Sequence, residues 1–210
     1  MLHYDILDPE RKEILPKLAV FKRQFYLAGG TALALQIGHR DSLDFDFFSK
    51  EDIDTVKLFE KVQEVFAGQV IVKTQEEKNT LSVNIDKVKL SFMTYSYELV
   101  DKLIETEFLN LASVKDIACM KLSAITSRAT LKDYVDLYFI LKNLTLEELL
   151  NSAKDKFPQL DTGLVLKSLV YFDDIVEEPI IFKEGNKVSL DEIKQKLDGE
   201  VKKYLEERII

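Results

Sequence analysis

One cysteine and two histidines in 210 residues close off several chemistries at once. Cys119 has no partner for an internal disulfide, and zinc sites of the usual Cys/His spacing are absent. His3 and His39 are too few to point to Ser-His-Asp or His-metal catalysis. Glycine (7) and proline (4) are scarce, so long flexible linkers are not expected. The longest apolar stretches, such as 137–141, are far too short to span a bilayer. The opening residues lack the basic-then-apolar pattern of a secretion signal. A cytoplasmic protein with no membrane attachment is expected.

What is present is ordinary for a folded soluble chain: 46% hydrophobic and 31% charged residues, enough to bury one large core or two small ones. Twenty-nine basic against 37 acidic residues give a net charge of −8, which argues against binding nucleic acid through overall charge. A local basic groove remains compatible with RNA.

Asp8 before Pro9 reads as the cap of a helix over 8–22. A short buried strand over 25–28 is closed by Gly29-Gly30, and a small apolar helix follows over 31–37. Residues 43–48 alternate strictly and form the clearest strand. Apolar residues at helical spacing predict a helix over 53–66. Strands are expected over 70–73, 80–85 and 88–95, the last two joined as a hairpin through Asp86-Lys87. This order predicts a mixed α/β sheet with flanking helices. After residue 97 the pattern turns helical, over roughly 113–128, 131–143, 145–156, 161–172 and 189–208. The expected division is therefore a core over 1–97 and a helical domain over 98–210 packed against it.

In the strand 43–48, Leu43, Phe45 and Phe47 face a core, while Ser42, Asp44, Asp46 and Phe48 face the other way. The two carboxylates then lie side by side, with α-carbons roughly 6.5 to 7 Å apart. They repel one another at that separation, and a divalent cation that takes hard oxygen ligands, such as Mg²⁺, relieves the repulsion. An edge strand with one solvated face would carry the same pattern. The preceding Gly29-Gly30-Thr31 exposes backbone N–H groups at a helix N-terminus, where phosphate binds well. The glycines allow close approach and Thr31 adds a hydroxyl donor. A tight strand-to-helix turn alone would also favour glycine.

Together, Gly29-Gly30-Thr31, twelve intervening residues and Asp44-Phe45-Asp46 resemble the signature of the DNA polymerase β-like nucleotidyltransferase superfamily. The longer stretch YLAGGTALALQIGHRDSLDFDFF is similar to the AbiEii/AbiGii toxin family, whose motif runs GG-[ST], a small apolar helix, Arg/His, Ser and Asp-x-Asp. Gly29, Gly30, Thr31, Arg40, Ser42, Asp44 and Asp46 all match. The resemblance implies a nucleotidyltransferase-like α/β (α+β) fold. It also implies that Asp44 and Asp46 are catalytic metal ligands for Mg²⁺, or Mn²⁺, and that Gly29, Gly30, Thr31, Arg40 and Ser42 bind the nucleotide. Arg40 would pair with a phosphate, although an exposed loop arginine accounts for it equally well.

Classical members of the superfamily carry a third acidic residue on a later strand. In the strand 88–95, Lys89, Ser91, Met93 and Tyr95 share one face, and Ser91 stands where that acid is expected. Serine is neither an unaided general base nor a strong metal ligand, and Asp86 reads as a turn residue. A two-metal mechanism is weakened, while a single metal on the triphosphate remains compatible.

Ser113-x-x-Asp116 looks like a capping box for the helix over 113–128. Lys121 falls within the apolar arc of Ile117, Met120, Ala124 and Ile125, with Arg128 almost directly below. Such a lysine either extends its charge out to solvent or serves an enclosed polar site. Leu131, Tyr134, Val135, Tyr138 and Leu141 form the expected buried face of the next helix, leaving Asp133 and Asp136 on the polar side. Thr130 could use Asp133 as a cap partner, and Lys132 with Asp136 could form a surface ion pair. KLSAITSRATLKDYVDLYFIL is also similar to the helical-domain motif of the same toxins. That resemblance implies nucleotide binding by Arg128 and Lys132, with Lys121 on the triphosphate and Asp136, or Asp133, as general base or metal helper.

The implied function is a toxin of a toxin–antitoxin or abortive-infection system. It would transfer a nucleoside monophosphate from NTP to an acceptor, tRNA first among the candidates and a protein side chain next. The implied partner is a cognate antitoxin, for this family usually a winged-helix regulator. Two other readings stand beside it: a small-molecule, antibiotic-type nucleotidyltransferase, and a non-catalytic nucleotide-binding or interaction module, for which Ser91 speaks. Residues 145–210 carry no legible motif.

Overall fold

A computed structural model describes residues 2–176 and 178–208. Contacts divide the chain into two compact units, Met1–Ser113 and Val114–Ile210.

The first unit contains α1 (Pro9–Leu18), β1 (Tyr26–Ala28), α2 (Gly29–Ile37), β2 (Asp44–Ser49), α3 (Thr55–Val65), β3 (Ile71–Glu77), β4 (Thr80–Ile85), β5 (Val88–Thr94), β6 (Ile104–Glu105) and β7 (Asn110–Leu111). As expected, Asp8 caps α1 and Pro9 opens it. The strands form one seven-stranded mixed sheet in the order β3-β4-β5-β2-β1-β7-β6. β6 and β7 lie in a stretch whose pattern reads as helical or linking. Two-residue strands are too short to show alternation, so pairing alone defines them. β7 runs parallel to β1 through Leu27 and Leu111, and so belongs to this sheet.

Alternation puts Leu27, Phe47, Phe92 and Leu81 in one cross-strand row, all buried. The Phe47 and Phe92 rings stack at 5.0 Å, with Phe21 and Phe25 closing on Phe92 at 5.1 and 5.2 Å. The opposite face carries the row Ala28, Asp46, Ser91 and Ser82. Leu43 departs from its expected core position and is 53% exposed. It precedes the first β2 residue, and its carbonyl accepts a hydrogen bond from Arg11 Nε at 2.5 Å. The 85–88 turn is as expected, with Asp86 at φ 51° and its carboxylate accepting from the Val70 amide at 3.1 Å.

The second unit is helical: α4 (Val114–Ala124), α5 (Leu131–Ile140), α6 (Leu146–Lys156), α7 (Thr162–Val170) and α8 (Leu190–Glu206). Helix α4 packs on α5 and α6, and α8 packs on α5, α6 and α7. Thr145 and Ser189 form complete capping boxes with Glu148 and Glu192. Asp116 has a partner that the capping pattern did not predict. It is fully buried and accepts from Lys156 Nζ at 2.8 Å, joining α4 to the end of α6. No helix among the described residues is long and apolar enough to cross a membrane.

Candidate functional site

Within the first unit, the β1–α2 turn brings the glycine motif and the Asp-x-Asp strand together. β1 and β2 pair antiparallel, with Ala28 opposite Asp46, so Gly29 emerges beside that carboxylate. A Cβ on Gly29 would stand 3.1 Å from Asp46 Oδ2. Gly29 also holds φ +69°, a left-handed conformation that costs other residues roughly 1–2 kcal/mol. Helix α2 begins at once, with Ala28 as an N-cap residue whose side chain makes no cap hydrogen bond. Asp8, Asp54, Thr145, Asp161 and Ser189 do cap their helices. The first amides of α2 are left for another acceptor, next to Asp46.

Asp44 and Asp46 share a face, Asp44 exposed and Asp46 half-buried. The parallel β2–β5 register sets Asp46 opposite Ser91 and Asp44 opposite Lys89. Ser91 therefore occupies the position predicted for a third carboxylate, and is buried. Among the described residues no group of three or more His, Cys, Asp or Glu side chains converges on one point. Lys89, exposed and lateral to Asp44, is a cation that strand alternation placed on this face without assigning it a role.

Three residues of the motif prove to hold the turn. Thr31 is buried, and its hydroxyl is engaged with Ser42 Oγ at 2.8 Å and with the Asp44 carbonyl. Its one proton is used within the chain, which corrects the reading of Thr31 as a free phosphate donor. Arg40 is 3% exposed, contrary to the exposed-loop reading, and Nη1 donates to the Asp41 carbonyl at 3.0 Å. Its guanidinium lies against Gly30, where a Cβ would meet Nη2 at 2.6 Å. Gly30 thus gives the Arg40 guanidinium room to lie against the turn. For Gly29→Ala we expect a stability loss of about 1–2 kcal/mol from backbone strain, together with displacement of Asp46. Urea unfolding reads the first effect, and an unchanged midpoint would refute it.

In the second unit Lys121 takes the enclosed of its two expected alternatives, and Asp133 and Asp136 depart from the expected polar side. Lys121 does not reach solvent: it is 7% exposed, and its Nζ lies 2.7 Å from Asp133 Oδ1 and 2.6 Å from Asp136 Oδ2. Asp133 and Asp136 are correspondingly 2% and 0% exposed, so they point inward. Asp133 also accepts from Thr130 Oγ1 at 2.7 Å and from Arg128 Nε at 3.1 Å. Thr130 thus bonds the Asp133 carboxylate and makes no side-chain cap bond to the backbone. Lys132 pairs with Glu178 at 2.5 Å and leaves Asp136 to Lys121. Asp136, fully buried, is engaged as a counter-ion to Lys121.

Burial opposes the charge of Asp133, yet Lys121, Thr130 and Arg128 hold its carboxyl below the usual carboxylate range. Burial also opposes the Lys121 ammonium, and Asp136 and Asp133 more than reverse this, raising its pKa. A carboxyl depressed on folding stabilises above its unfolded pKa and loses that contribution as pH falls through the folded value. A lysine raised on folding stabilises below its unfolded pKa and loses it as pH rises through the folded one. The pair therefore contributes fully between about pH 5 and 9. Wild-type unfolding midpoints should hold level there and drop below about pH 4, with a shallower drop in Asp133→Asn. Equal slopes in acid would exclude Asp133 as a source.

The chain also matches known proteins. A family model described as "Nucleotidyl transferase AbiEii toxin, Type IV TA system" matches residues 14–207. The uncharacterized protein aq_aa25 of Aquifex aeolicus (strain VF5) is 35% identical over 208 residues, covering 95% of this chain and 98% of its own. Two solved structures share the fold. JHP933 from Helicobacter pylori is 19% identical with a TM-score of 0.57, over 99% of this chain and 96% of its own. MenT4, the nucleotidyltransferase toxin Rv2826c from Mycobacterium tuberculosis H37Rv, is 16% identical with a TM-score of 0.58, over 91% of this chain and 80% of its own.

Proposed function

The chain belongs to the AbiEii nucleotidyl transferase toxin family, and from that premise we propose that it transfers a nucleoside monophosphate from an NTP to a hydroxyl of an RNA acceptor, tRNA first among the candidates. The observation that carries this reading is the uncapped N-terminus of α2 set against Asp46, with Asp44 on the same face. Backbone amides that attract phosphate lie beside two carboxylates that attract a divalent cation. Family membership also implies an antitoxin as partner.

The donor set fits one Mg²⁺. That ion commonly uses one or two carboxylates plus substrate phosphates and water, which Asp44 and Asp46 can satisfy. It does not fit a second metal, because Ser91 replaces the carboxylate that such a site would need. A bound Mg²⁺ would neutralise charge on the triphosphate. The turn amides orient the phosphates, Gly29 gives them access, and the Thr31–Ser42 bond with Arg40 keeps the turn rigid. The acceptor oxygen bonds to the α-phosphorus as the bond to the pyrophosphate oxygen breaks. Pyrophosphate leaves with that electron pair, and the hydroxyl proton passes to solvent.

The test is incubation of the protein with each labelled NTP, Mg²⁺ and total tRNA. Label in tRNA with one NTP is the expected result and names the base. NTP binding without label in tRNA would overturn the RNA acceptor. Absence of Mg²⁺-dependent NTP binding would overturn the transferase reading itself.

A further inference from the structure

The second unit contains a cavity of about 700 Å³ between the α4–α5 turn and α7, within the volume range of small-ligand sites. Two cations line it. Arg128 spends Nε on Asp133, but its side chain is 62% exposed and its terminal nitrogens take no partner among the described residues. Lys167, in the last turn of α7, is exposed and its Nζ takes none there either. Among the described residues Asp174 is the one acidic residue in the lining. Arg128 and Lys167 thus bring two cations to one cavity of a chain whose net charge is −8.

The lining also carries an aromatic ring. Tyr171, 50% exposed, borders the cavity immediately after α7, and the neighbouring carboxylates of Asp174, foremost, and Asp173 keep the proton on its phenol. The backbone beneath is fixed: the buried Tyr134 hydroxyl donates to the carbonyls of Ser168 at 2.9 Å and Tyr171 at 3.2 Å. An exposed ring on a pinned backbone, flanked by an unpaired ammonium and a half-engaged guanidinium, is the combination that holds single-stranded nucleic acid. The cations take the phosphodiester and the ring takes a base.

We propose that this cavity is an RNA-backbone subsite, in which Arg128 and Lys167 bind a phosphodiester and Tyr171 stacks the adjoining base. The proposal rests on the RNA-transferase reading for the identity of the ligand as the acceptor strand. It goes beyond that reading in assigning the binding to α7 and Tyr171, which lie outside every motif of the sequence.

The test is anisotropy titration of a fluorescein-labelled twelve-nucleotide single-stranded RNA with the full chain, alongside separate Mg²⁺-dependent NTP binding. Lys167→Glu should weaken RNA binding at least about tenfold and flatten its salt dependence by about one unit of log–log slope. Tyr171→Ala should weaken it about five- to tenfold, while Tyr171→Phe, which keeps the ring, stays near wild type. Lys167→Gln, with a smaller loss, guards against a folding defect in the charge reversal, and thermal melts check each variant. NTP binding should be unchanged throughout. RNA held equally by wild type, Lys167→Glu and Tyr171→Ala would overturn the subsite, as would a wild type that binds no RNA. Loss of RNA binding in the variants of a chain that binds no NTP would uphold the subsite and overturn the transferase reading.

Discussion

Asp44→Asn is expected to lower nucleotide transfer by about 10³-fold or more and to leave the unfolding temperature nearly unchanged. The substitution keeps the shape of the side chain and removes its charge. Asp44 is exposed at the first position of β2, so the amide buries no polar group and creates no cavity. Phe45 and Phe47, which anchor the strand, point to the other face. The nearest cross-strand cation, Lys89, is exposed, and a surface pair of that kind contributes at most about 1 kcal/mol. Function and folding therefore separate at this residue. Calorimetry together with label transfer reads both, and an unfolded variant would assign Asp44 to structure. A folded variant with full activity would remove the carboxylate pair from the mechanism.

Lys121→Met is expected to destabilise the protein by about 3–5 kcal/mol in urea unfolding, enough to leave many domains of this size partly unfolded. The ammonium compensates two carboxylates that are 2% and 0% exposed. Removing it takes the shared cation from both. Asp133 keeps Thr130 and Arg128 as partners, which limits its share of the loss. The double variant Lys121→Met/Asp136→Leu should recover part of the loss, because it removes a buried charge together with its partner. A single variant within about 1 kcal/mol of wild type would show that the cluster is solvated in solution. A double variant no better than the single would shift the cost to Asp133. Arg128 is held by that same carboxylate, so Lys121→Met should also loosen one wall of the 700 Å³ cavity.

Much of this protein was legible along the chain because the relevant forces are local. Strict alternation over 43–48 put Asp44 and Asp46 on one face, and their β2 register bears that out. Ser91, which the superfamily resemblance singled out, stands opposite Asp46 in the strand register. The strand-to-helix glycines, the 85–88 turn and the helices after residue 113 each depend on a few neighbouring residues.

What escaped the sequence were choices made by residues far apart in it. Asp133 and Asp136 look solvent-facing on a helical wheel, which registers only that carboxylates prefer water. They turn inward because α4 packs against α5 and brings Lys121 within 2.7 Å, twelve positions from Asp133. Asp116 likewise gains a buried partner, Lys156, that α6 delivers from forty positions away. β7 is a strand because β1 and β6 pair with it on either side. A buried charge is stable only beside its counter-charge, and a short strand only beside its neighbour, so neither can be read before the chain has folded.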